Sequence, residues 1–307
     1  MAGFTDMPFR VICSELGVSH TVSEMISAAA ICYKDKKTAE LCRISESEAP
    51  CALQLFGHDP AQMAYAAEEL ICKAEEGKKP VAIDINMGCP VKKIALSGDG
   101  SALMKDPLLA ARIVSAIKER INLPVTVKIR AGWDEKSKNA VEVARACADA
   151  GASIVGVHAR TREQLYYPGI DMDVIARVRD ALPPEVSVYG NGDVTDGESA
   201  YKMYKETACD GIMIGREALG NPWVFDEIKA YFEGREFTPP TTEERIASAI
   251  GLVSAIVDLK GEDRGIREAR GRAAHFIRGM RGSAEIRAAL NSSTSLQEFK
   301  SILENYI

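Results

Sequence analysis

The chain predicts an α/β protein: a (β/α)8 TIM barrel with a truncated first strand, followed by a small C-terminal all-α domain. Three observations lead there. Short β-branched runs alternate with helical stretches from residue 20 to about 232, as parallel strands covered by helices do. The runs are mostly apolar, which suits strands buried on both faces. Polar residues cluster at their C-terminal ends (Glu24, Gln54, Asn86, Lys128, Arg130, His158, Asn191 and Arg216), the end where barrels place their chemistry. An open doubly wound sheet fits the number of runs, but no GxGxxG follows any of them.

Taken in order, a helix-like segment from Met7 to Leu16 comes first. Strands are predicted at 21–26, 51–56, 81–86, 125–130, 153–158, 186–191 and 211–215. Between them, apolar residues at three- and four-residue spacing predict helices at 60–76, 107–120, 138–150, 171–181, 196–206 and 222–232. A closed barrel needs one more strand, expected ahead of Met7. After Glu233, "GREFTPPTTEER" reads as a linker, and Thr241 or Thr242 caps a helix with glutamates in its first turn. From there the pattern is helical without strands. The expected domains are a catalytic barrel over 1–235 and a helical domain over 241–307.

Composition narrows the class. The chain has 307 residues, 46% of them hydrophobic, enough for one large domain plus a small one. No apolar run approaches the roughly 18 residues of a membrane span, and the N-terminus lacks the features of a signal peptide. Eight cysteines without a CxxC pair read as reduced thiols of a cytoplasmic protein, not as a disulfide framework or zinc site. Four scattered histidines predict no metal centre. The net charge is −6, yet residues 264 to 287 carry seven arginines against two glutamates, a local excess of +5. Such asymmetry permits an anionic partner on an acidic protein.

Several residues suggest chemistry. The glycine stretches "YGNGDV" (189–194) and "IGREALGNPW" (214–223) follow the last two strands, where barrels commonly bind phosphate. A phosphorylated cofactor or substrate is expected there, with Arg216 supplying charge. Lys128 sits among apolar neighbours, a costly place unless an anion meets it. His158 ends the next strand and makes a plausible second donor. Gln54 can donate and accept at once, as the edge of a heterocycle requires. Cys89 stands past the end of its strand in "DINMGCPVKK", on a loop stiffened by Pro90. Thiols ordinarily titrate at about 8.5 and can donate a proton at neutral pH, so general acid is the expected role. The other cysteines read as packing residues, with Cys13, Cys72 and Cys147 on apolar helix faces and Cys51 opening a strand. Arg267, Arg270, Arg278 and Arg281 fall within about 80° of one another if their segment is one continuous helix.

These stretches add up to a resemblance. "MAGFTDMPFR", "LQLFG", "INMGCPVKKI", "GDGSALMKDP", "VKIRAGW", "VHARTREQ", "YGNGDV" and "MIGREALGNPW" stand in the order and spacing of the tRNA-dihydrouridine synthases. The tail "HFIRGMRGSAEIRAALNSSTSLQEF" is similar to that family's C-terminal domain, most like the bacterial B type. The resemblance implies an enzyme that reduces the C5–C6 bond of D-loop uridines in tRNA, with FMN as cofactor and NADPH as hydride donor. It implies that Gln54, Lys128 and His158 face the flavin ring. Asn191, Gly192, Asp193, Gly215 and Arg216 hold the ribityl chain and phosphate. Met1 and Ala2, the remnant of an "APMAG" strand end, lie at the cofactor too, so the native start is expected upstream. Cys89 is the implied proton donor, with Asn86 and Arg130 near the uracil and the four stripe arginines on the tRNA. A monomer, free of metal and membrane, is expected. The alternative is another FMN barrel acting on a small molecule, of the dihydroorotate or dihydropyrimidine dehydrogenase kind, which has no need of the arginine-rich tail.

Overall fold

The computed structural model describes residues 1–35, 38–73 and 78–305. Seven parallel strands stand in sequential order in one sheet. They are β1 (Thr21–Ser27), β2 (Cys51–Phe56), β3 (Ala82–Asn86), β4 (Val125–Gly132), β5 (Ala152–Thr161), β6 (Ser187–Asn191) and β7 (Gly211–Met213). The strand order and its helical cover are those of a (β/α)8 TIM barrel. Among the described residues no strand joins β7 to β1. The segment ahead of α1 (Met7–Glu15) lies there instead: Gly3 N donates to the Glu24 carboxylate in the middle of β1, and the Met1 sulfur lies near Gly215 after β7.

Helices α2 (Ala28–Cys32), α3 (Thr38–Leu41), α4 (Pro60–Lys73), α5 (Lys92–Leu96), α6 (Pro107–Lys118), α7 (Ala140–Asp149), α8 (Met172–Ala181), α9 (Gly197–Thr207) and α10 (Val224–Glu233) follow their strands. Two of the longer ones, α6 and α9, start where the chain supplies a side-chain cap. Asp106 accepts from Leu109 N ahead of Pro107 in α6, and Asp196 forms a capping box with Ser199 in α9. Leu53, Leu55, Ile83, Ile85, Val127 and Ile129 are buried under these helices in one core. The predicted helix at 60–76 is seen to Lys73; residues 74–76 lie outside the described residues. Cys72, expected on an apolar face, is exposed instead. It sits in the last turn of α4, beyond the stretch that Met63, Ala67 and Leu70 pack down.

The C-terminal helices are α11 (Thr242–Lys260), α12 (Glu262–Phe276), α13 (Ser283–Ser292) and α14 (Leu296–Glu304). Thr241 is the cap of α11 and forms a capping box with Glu244. Their core of Ile246, Val253, Phe276 and Phe299 takes in Phe9 and Cys13 from α1 and Val224 from α10. Polar contacts join the two parts as well. Asp6, the cap of α1, meets Lys260 at 2.9 Å and Arg272 at 2.6 Å, all three side chains buried. Gly220, after β7, has φ +71° and lies against α12 so closely that a Cβ would stand 2.2 Å from the His275 carbonyl carbon. Helix α12 thus ends beside the last barrel loop.

The continuous arginine helix is a correction. Helix α12 stops at Phe276, and Gly279 (φ +80°) and Gly282 (φ +73°) turn the chain before α13. Arg278 and Arg281 are exposed in that turn, while Arg267 is exposed on α12. Arg270 is half-buried and donates to the Ser293 carbonyl. Ile266, Ala269, Ala273 and Phe276 fill the buried face.

Candidate active site

Parallel register brings the polar strand ends into one row. Met25 pairs with Gln54, Gln54 with Asp84, Asn86 with Lys128, Arg130 with His158, and His158 with Asn191.

One side of the row holds the cysteine loop. Gln54 Nε2 donates to Asp84 Oδ2 at 2.7 Å, and Asn86 Nδ2 donates to Gln54 Oε1 at 2.9 Å. Asn86 Oδ1 then accepts the backbone N–H groups of Gly88 at 3.2 Å and Cys89 at 2.9 Å. The loop hangs from the last side chain of its own strand. Arg130 braces it from the next strand, with Nε donating to Gly88 O at 2.7 Å and Nη1 to Thr161 O at 2.9 Å. The Cys89 carbonyl accepts from Ser101 N at 3.2 Å, and Gly100 (φ +59°) packs so near that a Cβ would meet Cys89 Cβ at 3.0 Å. Cys89 itself is half-buried.

The other side is cationic. Lys128 Nζ donates to Asn191 Oδ1 at 2.8 Å, and Asn191 Nδ2 donates to Met213 O at 2.8 Å. Burial, with the Arg130 charge nearby, brings Lys128 down to about 7. Burial, then the charges of Lys128, Arg130, Arg160 and Arg216, bring His158 down to about 2. His158 is therefore a neutral imidazole with one N–H to donate.

The turns after β6 and β7 complete the mouth. Gly192 (φ +138°) and Asp193 (φ +47°) turn the chain sharply, and the Asp193 carboxylate pairs with both Arg160 and Arg216. Asp193 thus orients two guanidinium groups. Arg160 is buried and its Nη1 has no partner among the described residues. The N–H groups of Asp193, Gly215 and Arg216 have no backbone partner among the described residues. A Cβ at Gly215 would meet only the Met1 sulfur, at 3.9 Å. This corner can hold an anion, and the row beside it can hold the polar edge of a ring.

Sequence reasoning missed Asp84, Thr126 and Arg160. Asp84 is an acid inside an apolar run, a signal in itself, because a buried carboxylate must be hydrogen-bonded. It also missed a rim feature: Lys105 and Arg162 lie over the Trp133 ring, 3.4 and 4.6 Å from its centroid. Among the described residues no cluster of His, Cys, Asp or Glu is placed to hold a metal ion, and no helix is long and apolar enough to cross a membrane.

Comparison with known proteins adds a second line. A family model described as dihydrouridine synthase (Dus) matches residues 1–307. A Pseudomonas putida protein named tRNA-dihydrouridine synthase B is 37% identical over 299 residues, 97% of this chain and 86% of its own. A Rickettsia bellii protein named probable tRNA-dihydrouridine synthase is 37% identical over 293 residues, 95% of this chain and 88% of its own. A tRNA-dihydrouridine synthase B of Xanthomonas campestris is 34% identical over 307 residues, 100% of this chain and 90% of its own.

Proposed function

The chain belongs to the dihydrouridine synthase family, and on that premise we propose that it reduces uridines in tRNA to 5,6-dihydrouridine, with FMN as cofactor, NADPH as reductant and Cys89 as proton donor. The observation that carries the reading is the hanging of Cys89 from Asn86, beside a row of ring-facing donors and an open anion corner.

The residues present fit FMN. Arg160 has an orphaned buried nitrogen, Gly215 leaves an uncrowded cradle, and burial and the Arg130 charge pull Lys128 down to about 7 despite the Asp84 charge nearby. Arg216, Gly215 and the Gly192–Asp193 turn would hold the phosphate, Asn191 the ribityl chain, and Gln54, Lys128 and His158 the ring. When bound, the flavin supplies a hydride that originates on NADPH.

The chain's own residues do the rest. Hydride addition at C6 of a uracil leaves negative charge on C5 and O4, which a proton must quench. The Cys89 thiol, on a loop tied at both ends, delivers that proton to C5. Lys128 sets a positive charge against the electron-rich ring edge, and neutral His158 adds a hydrogen bond without a second full charge. Asn86 Nδ2, held by Gln54 Oε1 and more weakly by the Met25 sulfur at 3.9 Å, turns its second proton from that sulfur to the uracil. Arg130, with Nε and Nη1 engaged by two carbonyls, holds the loop and would meet the uracil through Nη2. Exposed Arg267, Arg278 and Arg281 contact tRNA phosphates, and the packing of His275 on Gly220 brings their segment to the side of the mouth.

Incubating the purified protein with FMN, NADPH and unmodified tRNA, then digesting the RNA for mass spectrometry, tests the proposal. Dihydrouridine is expected only with all components present. Reduction of free uracil or orotate, with tRNA untouched, would instead favour a small-molecule FMN barrel.

A further inference from the structure

Asp84 lies on β3, buried, two residues before Asn86. Its carboxylate makes no ion-pair contact among the described residues; it accepts from Thr126 Oγ1 and from Gln54 Nε2. From there a hydrogen-bonded chain climbs to the surface through Gln54 and Asn86 to the N–H groups of Gly88 and Cys89.

The two ends of this chain are chemically unequal. A carboxylate only accepts, and a backbone N–H only donates. Between them stand two amides, each with a donor end and an acceptor end. One arrangement satisfies every link: both NH2 groups point toward Asp84, and both carbonyl oxygens point toward Cys89. Turning Gln54 alone would set its oxygen against the carboxylate and its NH2 against that of Asn86. Turning Asn86 alone would set its NH2 against the N–H groups of the loop. In a buried network each such mismatch leaves polar groups unsatisfied.

We propose that Asp84 is a positioning residue for the reaction: it fixes which way round the Gln54 and Asn86 amides face the barrel mouth. This rests on the proposed function, in which Gln54 meets the flavin ring and Asn86 carries the cysteine loop. Burial pushes the Asp84 carboxyl upward, while Thr126, Gln54 and the Lys128 charge pull the other way. Burial wins and the net direction is upward, but the contacts that favour the ionised form, from Thr126 and Gln54, are the same ones that orient the amides.

The polarity of the chain can be reversed, which gives the test. In Asn86→Asp the new carboxylate still accepts from Gly88 and Cys89 but faces the Gln54 oxygen, so one amide stands between two carboxylates. Melting should fall by roughly 2–6 °C, as expected for one or two unsatisfied buried groups in a chain this size. Adding Asp84→Asn restores a complete set of partners. The new amide at position 84 then donates to Gln54 Oε1, and the turned Gln54 donates to the new carboxylate at position 86. The double variant should regain at least half of the lost melting temperature. In holoenzyme, the turned Gln54 offers the ring a different edge, so the flavin absorption maxima should shift although stability has returned. In a Gln54→Leu background the same swap should leave the maxima in place, because no amide remains to turn.

A double variant melting at or below Asn86→Asp would overturn the relay. Recovered melting with an unmoved flavin spectrum would overturn the positioning role. Failure of the wild-type protein to bind flavin at all is a separate result: it counts against the functional reading and is visible before any variant is made, while the melting comparison needs no flavin.

Discussion

Lys128 reaches Asn191 by crossing over Gly156. The two partners lie on β4 and β6, and between them β5 presents a glycine in register with Lys128. A Cβ on Gly156 would stand 3.1 Å from Lys128 Cδ. The absent side chain is what lets one lysine serve two strands away.

Gly156→Val should therefore dislodge Lys128. Overpacking of this kind costs about 1–3 kcal/mol, and the lysine would no longer meet Asn191 at 2.8 Å. The variant should slow reduction of bound flavin by NADPH in stopped-flow measurements, as Lys128→Met should. Flavin retention should suffer less in both, because Arg216 and the glycine turns remain. Gly156→Ala should have the same effect in weaker form.

Lys128 should also show itself in stability against pH. Its value of about 7 in the folded protein lies below the ordinary 10.5. Between those values the unfolded chain holds the extra proton, so this group makes stability rise with pH across that window. Below 7 its unfavourable contribution is fully present. Thermal melting of flavin-free protein should show a rise from pH 7 upward that is steeper in wild type than in Lys128→Met. Parallel curves would mean that the lysine is not desolvated.

The arginines of the tail should divide into two kinds. Arg272 is buried against Asp6, and because Lys260 still meets Asp6 its loss should cost less than the about 3–5 kcal/mol typical when a buried charge is left unpaired. Arg272→Met should lower the melting temperature with little direct effect on the salt dependence of tRNA binding. Arg278→Glu with Arg281→Glu should do the reverse, weakening tRNA binding and flattening its log–log salt slope by roughly 0.7–0.9 for each phosphate no longer neutralised. NADPH oxidation without tRNA should be unchanged in that pair.

That division was not legible in the sequence. Which arginine is exposed depends on Asp6, far away in the chain, and on positive φ at Gly279 and Gly282, which break the expected stripe. The seven strands were legible because doubly buried strands are nearly uninterrupted apolar runs, and their polar ends marked the mouth. Short helices such as Ala28–Cys32 and Lys92–Leu96 were not, since one turn is too short to show a period. Gln54, Asn86, Lys128, His158 and Asn191 were each visible as polar strand ends. Their pairing was not, because register decides it. Cys89 stood out by position alone; the Asn86 side chain and Arg130 that fix its loop became visible only in three dimensions.

The proton delivered by Cys89 is the step on which the account turns. Cys89→Ala should keep flavin, keep NADPH oxidation and keep tRNA affinity. Cys51→Ala and Cys147→Ala, both buried, should cost stability at most. The decisive measurement is single-turnover formation of dihydrouridine in tRNA by pre-reduced Cys89→Ala enzyme, followed by nucleoside mass spectrometry against wild type. Loss of a positioned acid predicts a rate lower by on the order of 10² to 10⁴ with flavin content unchanged. A wild-type rate in that variant would show that the proton comes from elsewhere and would contradict the account.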